Sequence, residues 1–233
     1  MVPGKSNSLK LKTARIADIL QDFMGEYNWR KRLNPLNQLI ATILSQNTSD
    51  LNSGRAYRSL RERFPTWEDV LAADVKDVAD AIRAGGLADR KSRCIKETLS
   101  WIKATHGRLN IDFICKTEPE EVYETFCQIK GIGVKTVSVV LAFACGKDVF
   151  PVDTHVNRIC GRLGLVPPNS PPEKTFRLMQ NFFPRGRGIP FHVNMIDFGR
   201  EVCKSQNPKC HECPLTRHCE YYREFYRSAT ARF

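Results

Sequence analysis

Ile129-Lys130-Gly131-Ile132-Gly133-Val134-Lys135-Thr136 stands between two apolar stripes of helical period, and its reading decides the fold. Upstream, Val122, Phe126, Cys127 and Ile129 recur at helical spacing; downstream, Val137, Val140, Leu141 and Ala144 do the same. Two glycines one residue apart admit a tight turn with backbone angles that other residues resist. A helix opening just after them turns free backbone N–H groups outward, and such groups bind phosphate oxygens. The arrangement is helix, Gly-x-Gly hairpin, helix. A plain αα-turn has the same glycines, but the flanking Ile129 and Ile132 and the following Lys135-Thr136 favour a phosphate-gripping hairpin. It is not a nucleotide P-loop, because the preceding segment is helical and the glycine spacing differs.

The same helical period recurs outward from the hairpin. Leu36, Leu39, Ile40, Ile43 and Leu44 follow the i, i+3, i+4, i+7, i+8 pattern of a buried stripe. Val70, Leu71, Val75 and Val78 predict further short helices, and Ile95, Leu99, Trp101 and Ile102 another. Pro65 and the Gly85-Gly86 pair punctuate the middle, and Pro167, Pro168, Pro171 and Pro172 mark a loop where helix cannot continue. No sustained period-2 alternation and no Asn-Gly or Asp-Gly hairpin is present. The fold class predicted is all-α, with many short helices.

The chain has 233 residues, 42 % hydrophobic and 26 % charged, with a formal charge of +11. Such an excess of positive charge points to a polyanion, nucleic acid before a membrane surface. The polar N-terminus lacks the apolar core of a signal peptide, and the most apolar stretch, Val137 to Cys145, is too short to span a bilayer. An intracellular protein without a membrane partner is therefore expected. In a reducing compartment its nine cysteines, an odd set, are not read as a disulfide framework. Cys94, Cys115, Cys127, Cys145 and Cys160 are scattered.

The other four cysteines are clustered. Cys203-x6-Cys210-x2-Cys213-x5-Cys219 can bring four thiolates to one centre, with Pro208 and Pro214 stiffening the loop. Zinc and a [4Fe–4S] cluster both accept four cysteines, and spacing alone favours zinc as the commoner structural metal. His211 and His218 read as surface residues. Ahead of this loop, Val149 to Arg158 turns from apolar to polar, and Asp153 or Thr154 would cap a helix running through Val156, Ile159 and Leu163. Alone, Asp153 reads as a cap, Lys135 as a solvated helix lysine and His155 as a structural histidine; their joint occurrence shifts the weight.

Taken together, the chain resembles the endonuclease III family of helix-hairpin-helix DNA glycosylases over residues 10 to 225. The hairpin Gly131-Ile132-Gly133-Val134-Lys135-Thr136 is followed, eighteen positions after the lysine, by Val152-Asp153-Thr154-His155, and then by the four-cysteine loop. In that family the loop looks like a [4Fe–4S] ligand set, so the resemblance overrides zinc and implies Cys203, Cys210, Cys213 and Cys219 as cluster ligands. It implies two all-α lobes: a six-helix barrel over 28–147 carrying the hairpin, and 1–27 combined with 148–233 carrying the cluster. DNA would be met by Lys135 from one lobe and Asp153 from the other.

The resemblance also implies a chemistry. A damaged nucleotide is flipped out of the duplex; Leu87, in Gly86-Leu87-Ala88-Asp89-Arg90-Lys91, resembles the apolar wedge that fills the gap, with Lys91 among the DNA contacts. Gln46 and Asn47 would lie at the base pocket or the orphaned partner. Lys135 would attack the sugar C1′, which requires its neutral amine although a lysine of ordinary pKa, about 10.4, is almost wholly protonated at pH 7. Asp153 would stabilise the positive charge developing on the sugar or assist proton transfer. Lys130, Gly131, Gly133 and Thr136 would hold phosphates, Lys130 standing where the family hairpin carries proline. The expected protein is a monomeric glycosylase and abasic-site lyase acting on double-stranded DNA with a damaged base, an oxidised pyrimidine by family default, or an abasic site. A mismatch glycosylase removing thymine, uracil or adenine on the same fold is the nearest alternative. A non-catalytic, metal-stabilised DNA-binding module is another; it leaves the pairing of Lys135 with Asp153 as coincidence.

Overall fold

Local signals place most of the helix boundaries. A computed structural model describes residues 3–27 and 33–226, with side chains for 7–27 and 33–224. Its α-helices are α1 (Pro3–Met24), α2 (Pro35–Ser45), α3 (Asp50–Arg63), α4 (Trp67–Ala72), α5 (Val75–Ala81), α6 (Ala88–His106), α7 (Pro119–Phe126), α8 (Val134–Phe143), α9 (Thr154–Arg162), α10 (Pro172–Met179) and α11 (Gly188–Glu201). Among the described residues there is no strand, and no helix is long and apolar enough to cross a membrane. The protein is all-α, as its periodicity predicts.

Caps explain several starts. The Asn34 side chain accepts from the Asn37 amide at 2.8 Å, and Pro35, whose missing N–H costs nothing at a first helical position, opens α2. Thr66 and Asp69 form a reciprocal capping box at α4. The proline-rich segment departs from expectation. Pro171 is the N-cap of α10 and Pro172 its first residue, so the last prolines start a helix as well as interrupting one.

By its internal contacts the chain forms two units, Met1–Arg30 with Asp148–Phe233, and Lys31–Lys147. The boundary expected at residue 28 lies outside the described residues. The second unit holds seven α-helices among the described residues, α2 to α8, where six are expected. Its centre is α2, whose stripe Leu36, Leu39, Ile40, Ile43 and Leu44 is fully buried and packs against α8, α3 and α6. In the first unit α1 packs on α11, and α11 on α9. Lys12 donates to the Leu163 carbonyl, and Arg187 pairs with Asp18 at 2.6 Å. Phe150 lies at the centre of this core, stacked with Phe183 and Phe191 at ring-centroid distances of 5.7 and 5.1 Å.

The scattered cysteines need a correction. Cys115 and Cys145 form a disulfide, because the turn after Asp112 and the end of α8 bring their Cα atoms to 4.8 Å. Nothing in the spacing of thirty residues announces this pairing. Closing a loop of that length restricts the unfolded chain by about 3–4 kcal/mol. Replacing both residues by serine is expected to lower the Tm by roughly 10 °C. Melts with and without reductant check this: the wild type shifts on reduction and the serine variant does not.

Candidate functional site

The hairpin is held from beneath and from the side. Ile129 and Ile132 are buried anchors. Gly131 has φ +89°, and a Cβ there would stand 2.8 Å from the Cys94 sulfur of α6, so both backbone conformation and space demand glycine. Gly133, the N-cap of α8, has φ −110° and open space where a Cβ would go. Its freedom serves whatever approaches from outside and not the turn. Gly131→Ala is therefore expected to cost about 2 kcal/mol and a few degrees of Tm, whereas Gly133→Ala, which loses only the N-cap preference for glycine, should cost less than about 1 kcal/mol. Parallel melts of the two variants check the contrast.

Gln46 follows α2 and reaches this hairpin. Its Nε2 donates to the Gly131 carbonyl at 3.2 Å and approaches the Thr136 hydroxyl at 3.5 Å. Thr136, expected among the DNA contacts, is 3 % exposed and its hydroxyl faces Gln46, so its side chain is not presented to an outside partner. Lys130, Gly131 and Gly133 are exposed and Lys135 is half-buried as the second residue of α8. No side chain caps α8, and a helix provides no partner of its own for its first-turn amides.

Leu87 is a backbone outlier. It is left-handed at φ +50°, directly after Gly86 at φ +68°, and it is 51 % exposed. A bulky residue in that conformation costs of order 1 kcal/mol, and here the cost is met to display an apolar side chain. Asn47, exposed at φ +51°, forms the turn between α2 and α3. Lys91 does not join this surface. It is 2 % exposed, with Nζ donating to the Leu44 and Gly85 carbonyls at 2.8 Å each, so in place of the expected DNA contact it forms a buried link.

Asp153 caps α9, its Oδ1 accepting from the Val156 amide at 2.8 Å. The capping role read from sequence is present, and it occupies one carboxylate oxygen of a half-exposed side chain. The same helix carries two arginines that the sequence reading missed. Arg158 donates to the Cys203 and Gly199 carbonyls, at 2.9 Å each from its NH2 group. Arg162 donates to the Cys203 sulfur at 3.3 Å and to the Lys204 carbonyl at 2.6 Å. Their i, i+4 spacing on the Asp153 helix was the available signal. His155 contacts Arg158 at 3.2 Å.

Cys203, Cys210, Cys213 and Cys219 line one small cavity with Val202 and Pro208. Burial pushes the Cys213 thiol up to about 12, and the other three sulfurs push in the same direction. No three histidine, cysteine or acidic side chains among the described residues are arranged to hold a single metal ion. Four cysteines lining one cavity are a donor set that both tetrahedral zinc and an iron–sulfur cluster accept.

Comparison with known proteins supplies the family. Residues 40–185 match the model of the HhH-GPD superfamily of base excision DNA repair proteins, and residues 203–219 match the iron–sulfur binding domain of endonuclease III. The chain is similar to endonuclease III of Sulfolobus acidocaldarius, 32 % identical over 222 residues covering 93 % of this chain and 96 % of the relative. It is 35 % identical to endonuclease III of Thermotoga maritima over 193 residues, 83 % of this chain and 86 % of the relative. A relative from Arabidopsis thaliana is 45 % identical over 141 residues, which are 60 % of this chain but 48 % of that protein. A solved non-covalent endonuclease III–DNA complex superposes with a TM-score of 0.78 at 27 % identity, covering 94 % of this chain and 98 % of the other.

Proposed function

Since the chain belongs to the HhH-GPD superfamily of base excision DNA repair proteins, and within it to the endonuclease III family, we propose that it excises an oxidised pyrimidine from duplex DNA and then nicks the strand. The observation that carries this reading is the position of Lys135, half-buried at the start of α8 and directly behind the hairpin. Exposed Lys130, Gly131 and Gly133 would bind phosphates there, which brings the sugar of an extruded nucleotide to an amine. Leu87 is the wedge, and Gln46 and Asn47 meet the pocket or the orphaned base.

The neutral Lys135 amine attacks C1′ as the base departs with the electron pair of the N-glycosidic bond. Asp153 stabilises the positive charge that develops on the sugar. Opening of the sugar ring leaves an iminium between Lys135 and C1′. Loss of a C2′ proton then expels the 3′ phosphate by β-elimination. Cys203, Cys210, Cys213 and Cys219 would hold a [4Fe–4S] cluster whose role is to order the loop gripped by Arg158 and Arg162; a brown purified protein with iron and sulfide in equal amounts is the expected result.

The direct test is borohydride, which reduces the iminium to a stable amine. Duplexes carrying thymine glycol or an abasic site are incubated with protein and trapped. A covalent complex on both supports the whole reading. A complex on the abasic duplex alone keeps the lyase and moves the lesion elsewhere. No complex on either overturns the lysine mechanism in favour of water as nucleophile.

A further inference from the structure

Lys91 carries a charge where an apolar side chain would cost less. The residue is 2 % exposed, and its ammonium group donates to the Leu44 and Gly85 carbonyls, each at 2.8 Å. Leu44 lies in the last turn of α2, where carbonyls have no partner within the helix, so Lys91 caps α2 from outside it. Lys91 stands in the first turn of α6, the helix end that disfavours a cation, and burial lowers its pKa from the ordinary lysine value. For α6 alone the residue is a poor choice. Its placement makes sense as a link between two other elements.

Each of the linked carbonyls leads into an exposed segment. Gly85 is followed by left-handed Gly86 and Leu87, and Leu44 by Ser45, Gln46 and left-handed Asn47. Gln46 donates in turn to the Gly131 carbonyl. A path of hydrogen bonds and one short stretch of backbone therefore joins the Leu87 loop, the end of α2 and the hairpin. The Gly85 turn is also pressed on α3, since a Cβ there would stand 3.1 Å from the Ala56 Cβ.

We propose that Lys91 is a positioning residue that holds the Leu87 loop and the Gln46–Asn47 segment in one register, so that both meet the duplex as a single rigid probe. This rests on the DNA-glycosylase reading and on Leu87 as the wedge. It makes filling of the gap depend on Lys91 much more than bond-making at the sugar does. An abasic nucleotide has no base to unstack and reaches Lys135 with little help.

The test uses the full chain and two duplexes. In one, tetrahydrofuran, an abasic analogue that forms no iminium, stands opposite 2-aminopurine, whose fluorescence reports unstacking of the base facing the gap. The other carries a natural abasic site for borohydride trapping at saturating protein. Lys91→Met is expected to slow the fluorescence change about tenfold and trapping by no more than about twofold. Equal losses in both readouts would mean that Lys91 only supports the fold, and overturn the proposal; so would a wild-type fluorescence change. If Lys91→Met does not fold, Lys91→Arg decides, because the longer side chain with its donors in a fixed planar fork meets the two carbonyls from other positions than a single Nζ does and so shifts the register of the segments it links. There, a fluorescence loss exceeding the trapping loss supports the proposal, and equal or absent losses overturn it. Leu87→Ala separates the premise: a wild-type fluorescence change in that variant removes the wedge reading. Loss in Leu87→Ala with no change in Lys91→Met removes only the role of Lys91.

Discussion

Lys135→Gln will form no borohydride-stable complex with abasic DNA, while still binding the duplex. Glutamine is polar, only one atom shorter than lysine and a comparable helix former, so the start of α8 and the Gly131 hairpin beneath it should persist. What disappears is the only atom proposed to bond to C1′. Strand nicking by β-elimination has no route without the iminium, and its rate should fall by about 10³-fold or more. Binding to a duplex with tetrahydrofuran, followed by gel shift, should weaken only modestly, because phosphate contacts by the hairpin amides do not need the Lys135 amine. Near-normal nicking by Lys135→Gln would assign the lyase to another residue.

Asp153→Asn should lower base release by about 10²–10³-fold with little change in Tm. Asp153 has two tasks that a single substitution can separate. Its Oδ1 caps α9 at the Val156 amide, and asparagine caps a helix about as well as aspartate. The negative charge, proposed to stabilise the sugar cation, has no substitute in asparagine. Asp153→Ala removes both, and should add a stability loss of about 1 kcal/mol. That loss has a particular site: α9 carries Arg158 and Arg162, which grip the Cys203 loop. Melts and single-turnover base release on the two variants distinguish cap from charge. Equal activity in Asp153→Asn and wild type would leave Asp153 as a cap alone.

The features legible in the chain were those that neighbours in sequence determine. The α2 stripe from Leu36 to Leu44 is buried as its period predicts, because a helix places i, i+3 and i+4 on one face wherever it packs. The hairpin, the Asp153 cap and the four-cysteine loop were readable for the same reason. Each depends on spacing within a few residues.

Polar and sulfur-bearing side chains were legible only in part. Lys91, charged and beside an exposed loop, is expected among the DNA contacts, and it is buried against carbonyls of α2 and the Gly85 turn. Thr136 is expected among the phosphate-holding residues, and its hydroxyl faces Gln46. Cys115 and Cys145 read as unpaired, and folding joins them. The equal treatment of Gly131 and Gly133 also failed, since the Cys94 sulfur presses on one and not on the other.

The sequence by itself determined the helical class, the hairpin, the order of Lys135, Asp153 and the cysteine loop, and through them the family. Only the tertiary structure decided that Lys91 is a buried link, that Gln46 braces the hairpin, and that α9 clamps the cysteine loop through Arg158 and Arg162. The physical reason is the range of the forces involved. Periodicity and capping act over one or two turns and are written in adjacent residues. A buried charge or donor takes the partner that packing brings to it, and that partner stands elsewhere in the chain.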